Sequence, residues 1–136
     1  MNLVNPPIFT ALTAGVILLL QMFLMIMVGR HRQRTATLFG SGTDPVLQRA
    51  IRVHGNLAEN AALFLAGFAL LELLGGATWL VATLCAIFVL ARLAHAVGLS
   101  GSEGVNAPRF AGALGTLLVG LVTGGYLVWL GAAALG

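Results

Sequence analysis

Charged residues are scarce in this chain of 136 residues, at 8% of the total, against about 25% in a typical soluble domain. Lysine is absent, and all seven basic side chains are arginines, which with four acidic residues give a formal net charge of +3. So few charges cannot cover a water-facing surface, whereas 59% hydrophobic residues and a mean hydropathy of +0.99 suit a lipid environment. The composition therefore predicts an integral membrane protein of one domain, in which surplus arginine indicates topology rather than nucleic-acid binding.

Cysteine is nearly absent too, because Cys85 is the only one. The chain can form no intrachain disulfide and no cysteine metal cluster, and we expect Cys85 to be an inert apolar residue. The three histidines lack a ligand-like spacing on one helix, so no metal site is expected. The amino terminus has no basic segment followed by a cleavage site, and a cleaved signal peptide is not expected.

Four apolar segments are each near the ~20 residues that a helix needs to cross a bilayer. Asp44 followed by Pro45 is typical of a helix start, and the short link at Gly75 and Gly76 predicts an antiparallel helix pair. The sequence therefore predicts an all-α membrane protein, a four-transmembrane-helix bundle filling residues 1–136, with helices at about 8–28, 45–74, 77–97 and 108–135.

The arginines cluster at one end of the predicted bundle. They flank the first and third connections, whereas the link at 75–76 and both termini have none. By the positive-inside rule, the arginine-rich end faces the cytoplasm and both termini face the other side. Glu72, near the opposite end of its helix, is expected to reach toward the water interface.

A polar stripe on the second predicted helix is the most informative feature. Arg52, Asn56 and Glu59 fall at i, i+4 and i+7, so they share one helix face. Ionisable groups at membrane depth each cost a few kcal/mol or more unless they are paired or hydrated. The stripe must therefore face a partner helix, a water-filled cleft or a ligand.

All four helices add polar residues at the depth of this stripe. Arginines can bind carboxylates bidentately, Glu59 can hold an ammonium group, and Asn56 can bind a peptide group. A small anionic ligand with carboxylates, an amine and peptide bonds would suit such a layer, although a salt-bridge network that only joins the helices is an alternative. The layer comprises Arg30, Arg52, Asn56, Glu59, Arg92, His95 and Arg109.

The pattern Arg52-x-x-x-Asn56-x-x-Glu59, with Arg92-x-x-His95 and with Pro108 and Arg109 opening the fourth helix, resembles the MAPEG family. These are membrane-associated proteins in eicosanoid and glutathione metabolism. The resemblance runs from residue 30 to about 116 and is closest to bacterial members. It implies a homotrimer in a bacterial inner membrane, with both termini periplasmic, and with glutathione bound between subunits near the cytoplasmic face.

The resemblance also implies roles for single residues. Arg109 matches the arginine that stabilises the glutathione thiolate, which makes it the expected catalytic residue, since a nearby cation lowers a thiol pKa. One of Arg30, Arg32 and Arg34 matches the first-helix arginine, and Arg30 is the one expected to bind glutathione. The expected glutathione-binding residues are Arg30, Arg52, Asn56, Glu59, Arg92 and His95.

The implied activity is that of a glutathione-dependent transferase or peroxidase acting on a lipophilic electrophile that arrives from the bilayer. Eicosanoid-forming members have a tyrosine where this chain has Leu99, and aromatic or hydroxyl groups near Phe110 and Ala113, so eicosanoid specificity is not expected. The alternatives are a non-catalytic membrane scaffold or a lipid- or small-molecule-binding protein. A small four-helix transporter is a weaker alternative, because the first helix lacks the carboxylate that such transporters use.

Overall fold

The computed structural model describes residues 6–101 and 104–135 and consists of four long α-helices. Each helix is long and apolar enough to cross a membrane, which confirms the predicted all-α, four-helix membrane architecture. Many large apolar side chains lie on the outer surface of the helices, as lipid contact requires. The helices are α1 (Ile8–Thr35), α2 (Pro45–Leu73), α3 (Thr78–Gly101) and α4 (Ala107–Ala133).

The helix starts follow from their capping residues. Asp44 Oδ1 accepts hydrogen bonds from the backbone N–H groups of Val46 (2.7 Å) and Leu47 (2.9 Å), so α2 begins where the sequence predicts. At the start of α4, Asn106 Oδ1 accepts from the N–H of Arg109 at 3.0 Å. This cap fixes the backbone of Arg109 at the arginine-rich end of the bundle.

The α1 helix continues to Thr35, well past its predicted end near residue 28, because arginine and glutamine are good helix formers. It stops at Ala36, which has a left-handed conformation (φ 49°). The guanidinium of Arg32 then donates to the carbonyls of Leu38 (3.1 Å) and Gly40 (3.0 Å). Arg32 therefore folds the first connection back against the end of α1, in addition to any effect on topology.

Glu72 corrects a prediction. Its carboxylate accepts hydrogen bonds from the N–H groups of Phe9 (3.0 Å) and Thr10 (2.8 Å) and from the Thr10 hydroxyl (2.6 Å). The first N–H groups of a helix have no partner inside it, and Pro7 gives α1 no side-chain cap. Glu72 therefore caps α1 from the neighbouring helix instead of reaching toward water.

Consecutive helices pack antiparallel, and among the described residues no Cα atom of α1 lies within 8 Å of a Cα atom of α4. A Cβ atom added to Gly112 in α4 would lie 2.5 Å from the carbonyl oxygen of Ala91 and 2.6 Å from the backbone nitrogen of His95. This glycine therefore permits the close approach of α4 to α3. Farther from the arginine-rich end, the rings of Phe64 and Phe88 stack with centroids 4.5 Å apart and hold α2 against α3.

Candidate functional site

The polar stripe of α2 divides into an outer and an inner part. On the outer part, Arg52 Nη1 lies 3.6 Å from Glu59 Oε1, and the two side chains are 65% and 58% exposed in the single chain. Two turns of helix separate them, so the ion pair runs along the outer surface of α2. This face carries opposite charges that are both more than half exposed in the single chain.

On the inner part, Arg92 of α3 is only 4% exposed. Its Nη1 donates to Asn56 Oδ1 at 2.9 Å, and its Nη2 donates to the carbonyl of Gly112 at 3.3 Å and to the Thr116 hydroxyl. The guanidinium also lies 6.0 Å from the ring centroid of Phe88. One buried cation thus joins α2, α3 and α4.

The contact with Arg92 also fixes the orientation of the Asn56 amide. A guanidinium carries donors only, so the amide atom facing it must be the oxygen. The amide nitrogen Nδ2 consequently faces elsewhere, and in the part of the chain that the structure covers no group accepts from it. Asn56 is half-buried at the edge of the stripe and therefore presents a donor rather than an acceptor.

His95 lies one helical turn from Arg92, and both its ring nitrogens are buried. Across residues 6–101 and 104–135, neither nitrogen has a hydrogen-bond partner. Neither nitrogen therefore donates to a carbonyl of the described residues. His95, Arg92 and Asn56 line a small cavity between α2 and α3, which brings three of the predicted site residues together.

The two remaining residues of the layer lie at its margins. Arg109 is half-buried in the first turn of α4, and its Nη1 donates to the carbonyl of Gly104 at 3.4 Å. The end of α3 packs closely here, because a Cβ atom on Gly98 would lie 2.6 Å from Asn106 Oδ1. Arg30 is exposed on α1. The single chain therefore assembles the centre of the layer and leaves Arg30 on its outer surface.

Two residues that hold Arg92, Gly112 and Thr116, were not predicted. The sequence does carry a weak signal for them, since threonine occurs four residues after glycine in an otherwise apolar helix. Thr116 uses its hydroxyl to donate to Gly112 O at 2.8 Å and to accept from Arg92. No group of three or more metal-ligating side chains occurs among the residues placed by the structure.

Comparison with known proteins agrees with this architecture. The MAPEG family model matches residues 10–129. The inner membrane protein YecN of Escherichia coli K12 is 37% identical over 90 residues, which cover 65% of this chain and 68% of YecN, and YecN of Escherichia coli O6:H1 is equally similar. The chain belongs to the MAPEG family. It is an integral inner-membrane protein that resembles bacterial members, as the sequence pattern indicated.

Proposed function

We propose that this protein binds glutathione and joins its thiolate sulfur to lipophilic electrophiles, or uses glutathione to reduce lipid peroxides. The observation that carries the proposal is the exposed Arg52–Glu59 pair beside Asn56, whose amide oxygen is held by Arg92. These three groups form a row along one face of a membrane-spanning helix. Because charged groups are costly against lipid, a polar ligand or protein surface is needed to cover this row.

The depth of Glu59 in the bilayer strengthens this argument. It lies 14 residues from each end of the 29-residue α2, which is about 43 Å long, whereas the hydrocarbon core is about 30 Å thick, so Glu59 lies inside the core whichever end of α2 projects from it. A carboxylate left against lipid at that depth would cost a few kcal/mol or more. The Arg52–Glu59 pair therefore favours a ligand or a second subunit that covers it.

Glutathione matches the row group by group. It offers two carboxylates, one ammonium group and two peptide bonds. Arg52 can bind a carboxylate bidentately, Glu59 can accept from the ammonium group, and Asn56 Nδ2 can donate to a carbonyl or carboxylate oxygen. Arg92 is buried and its Nη1 donates to Asn56, so its proposed role is to orient Asn56 rather than to touch the ligand.

A homotrimer would complete the site. The α2 row is open in the single chain, and Arg30 is exposed on α1 of the same chain. We place Arg30 of a neighbouring subunit over the row, where its charge would bind the second carboxylate. Ligand and subunit interface would then stabilise each other, since binding to the assembled form favours assembly by mass action.

Arg109 is the proposed catalytic residue. Its cation would lower the pKa of the glutathione thiol, whose proton passes to solvent, and the thiolate is the nucleophile. With an electrophile that carries a leaving group, a sulfur–carbon bond forms as the leaving group departs with its electron pair. With a hydroperoxide, two glutathione molecules give one disulfide, one alcohol and one water.

The test is turnover of chlorodinitrobenzene, and separately of a lipid hydroperoxide, by the purified protein with glutathione. We expect activity in the wild type and, because loss of the Arg109 cation raises the thiol pKa, a loss of tenfold or more in Arg109→Ala, about 1.4 kcal/mol or more. Gln33→Ala, on the exposed surface of α1, is the matched control and should keep full activity. Glutathione binding without turnover of either substrate would favour the non-catalytic binding protein instead.

A further inference from the structure

A second cleft lies between α1 and α2 at the arginine-rich end. It encloses about 170 Å³, and residues of α1, α2 and the end of α3 line it. Its floor is formed by Leu24 and Val53, which are 8% and 3% exposed. We call this cleft the α1–α2 groove. Its other principal residues are the exposed Phe23 and Val46 on the walls and the half-buried His31 and Arg49 on the rim.

Two nitrogen-bearing side chains of the groove lie nearer the water than its buried aliphatic floor. His31 lies seven residues after Leu24 on α1, which is about 10 Å nearer the water, and α2 runs in the opposite direction. Arg49 precedes Val53 by one turn and therefore lies nearer the water too. Both helices thus place a nitrogen donor at the membrane surface directly above buried aliphatic side chains.

We propose that the α1–α2 groove binds an anionic phospholipid of the surrounding leaflet. Its phosphate would lie between Arg49 and His31, and one acyl chain would lie along Phe23, Leu24 and Val53. Basic pockets between transmembrane helices are known to hold anionic head groups. A guanidinium binds phosphate oxygens in a bidentate manner, and its five donors allow Arg49 to do so beside its contact within the protein.

The groove has a different lining from the proposed glutathione site. None of Arg52, Asn56 and Glu59 lines it, although Val53 borders both the groove and the small cavity beside Asn56. The groove opens toward α1, whereas the Arg52–Glu59 row faces outward. Lipid binding in this groove does not depend on the proposed reaction. A bound lipid would stabilise the packing of α1 against α2 near the connection that Arg32 contacts.

The experiment compares the melting temperature of the purified protein in detergent with added phosphatidylglycerol, phosphatidylcholine or inorganic phosphate. We expect phosphatidylglycerol alone to raise the melting temperature, since a ligand that binds only the folded state stabilises it. Native mass spectrometry should show phosphatidylglycerol retained on the chain. An equal rise with phosphatidylcholine or with inorganic phosphate would overturn the proposal.

Three variants test whether the rise in melting temperature arises from lipid bound in the groove. Arg49→Gln should lose more than half of the rise, and Ala50→Leu should lose as much, because it narrows the groove without changing the charge. The control Arg34→Gln removes an exposed charge from the same end of the bundle and should keep the rise. An equal loss in Arg34→Gln, or a full rise in Ala50→Leu, would mean that lipid is held by general surface charge, which contradicts the proposal.

Discussion

Arg92 and Asn56 face each other across the contact between α2 and α3, with Arg92 Nη1 2.9 Å from Asn56 Oδ1. The same guanidinium binds Gly112 and Thr116 on α4, so it belongs to the framework of the bundle. Arg92 therefore affects the proposed ligand site by orienting the Asn56 amide. Asn56 belongs both to this framework and to the proposed ligand row, and its two amide atoms can be tested separately.

Asn56→Leu removes the oxygen that accepts from Arg92. Since a buried donor left unsatisfied costs about 1–3 kcal/mol, we expect this variant to be destabilised by that amount. Asn56→Asp keeps an acceptor at the same place and should be at least as stable as the wild type. Thermal unfolding in detergent measures both, and equal stability of the leucine and wild-type proteins would contradict the structural role of this contact.

Gly112 should not tolerate a side chain. In Gly112→Ala the new methyl group would meet the carbonyl of Ala91 at 2.5 Å, so α3 and α4 must separate or shift. We expect a loss of about 1–3 kcal/mol in unfolding free energy, as for other overpacked cores. Gly124→Ala is the matched control, because nothing lies within 4 Å of its added Cβ atom. Similar melting temperatures for the two variants would show that α3 and α4 do not approach this closely.

Glu72→Gln tests the interhelical cap of α1. The amide can accept through only one atom, so the N–H group of Phe9 or that of Thr10 loses its partner. We expect faster hydrogen exchange at these two amides and a stability loss of about 1–3 kcal/mol. Amides in the middle of α1, such as that of Leu20, serve as the internal control. Unchanged hydrogen-exchange rates at Phe9 and Thr10 would contradict the capping of α1 by Glu72.

The distribution of arginines predicts the orientation of the chain. Alkaline phosphatase fused after Leu135 should be active, because both termini are expected on the periplasmic side. The same enzyme inserted at Ser41, in the connection that follows the arginines of α1, should be inactive. The reverse pattern of activity would mean that the arginine-rich end, and with it the proposed site, faces the periplasm.

Much of the fold could be predicted because its signals are local. Apolar length gives four spans, and the cap at Asp44 marks the start of α2. The periodicity of Arg52 and Glu59 likewise places them on one face. The sequence does not reveal which helix meets a given polar group, because such contacts depend on packing between distant segments.

Glu72 and Arg92 show this limit. The partner of Glu72 lies 62 residues away in the chain at Thr10, and the Gly112 carbonyl that Arg92 binds is 20 residues away. Residue types suggested a water-facing carboxylate for Glu72, and they did not reveal which helices Arg92 joins. Interhelical packing decides both sets of contacts.

A calorimetric titration of the purified protein with glutathione tests the central claim most directly. The wild type should bind, and Arg52→Ala should bind at least tenfold more weakly, about 1.4 kcal/mol or more, because it loses the bidentate contact to a carboxylate. Gln48→Ala, exposed one turn before Arg52 on α2, should bind like the wild type. Absence of any glutathione binding by the wild type, or equal affinity of Arg52→Ala, would contradict the account.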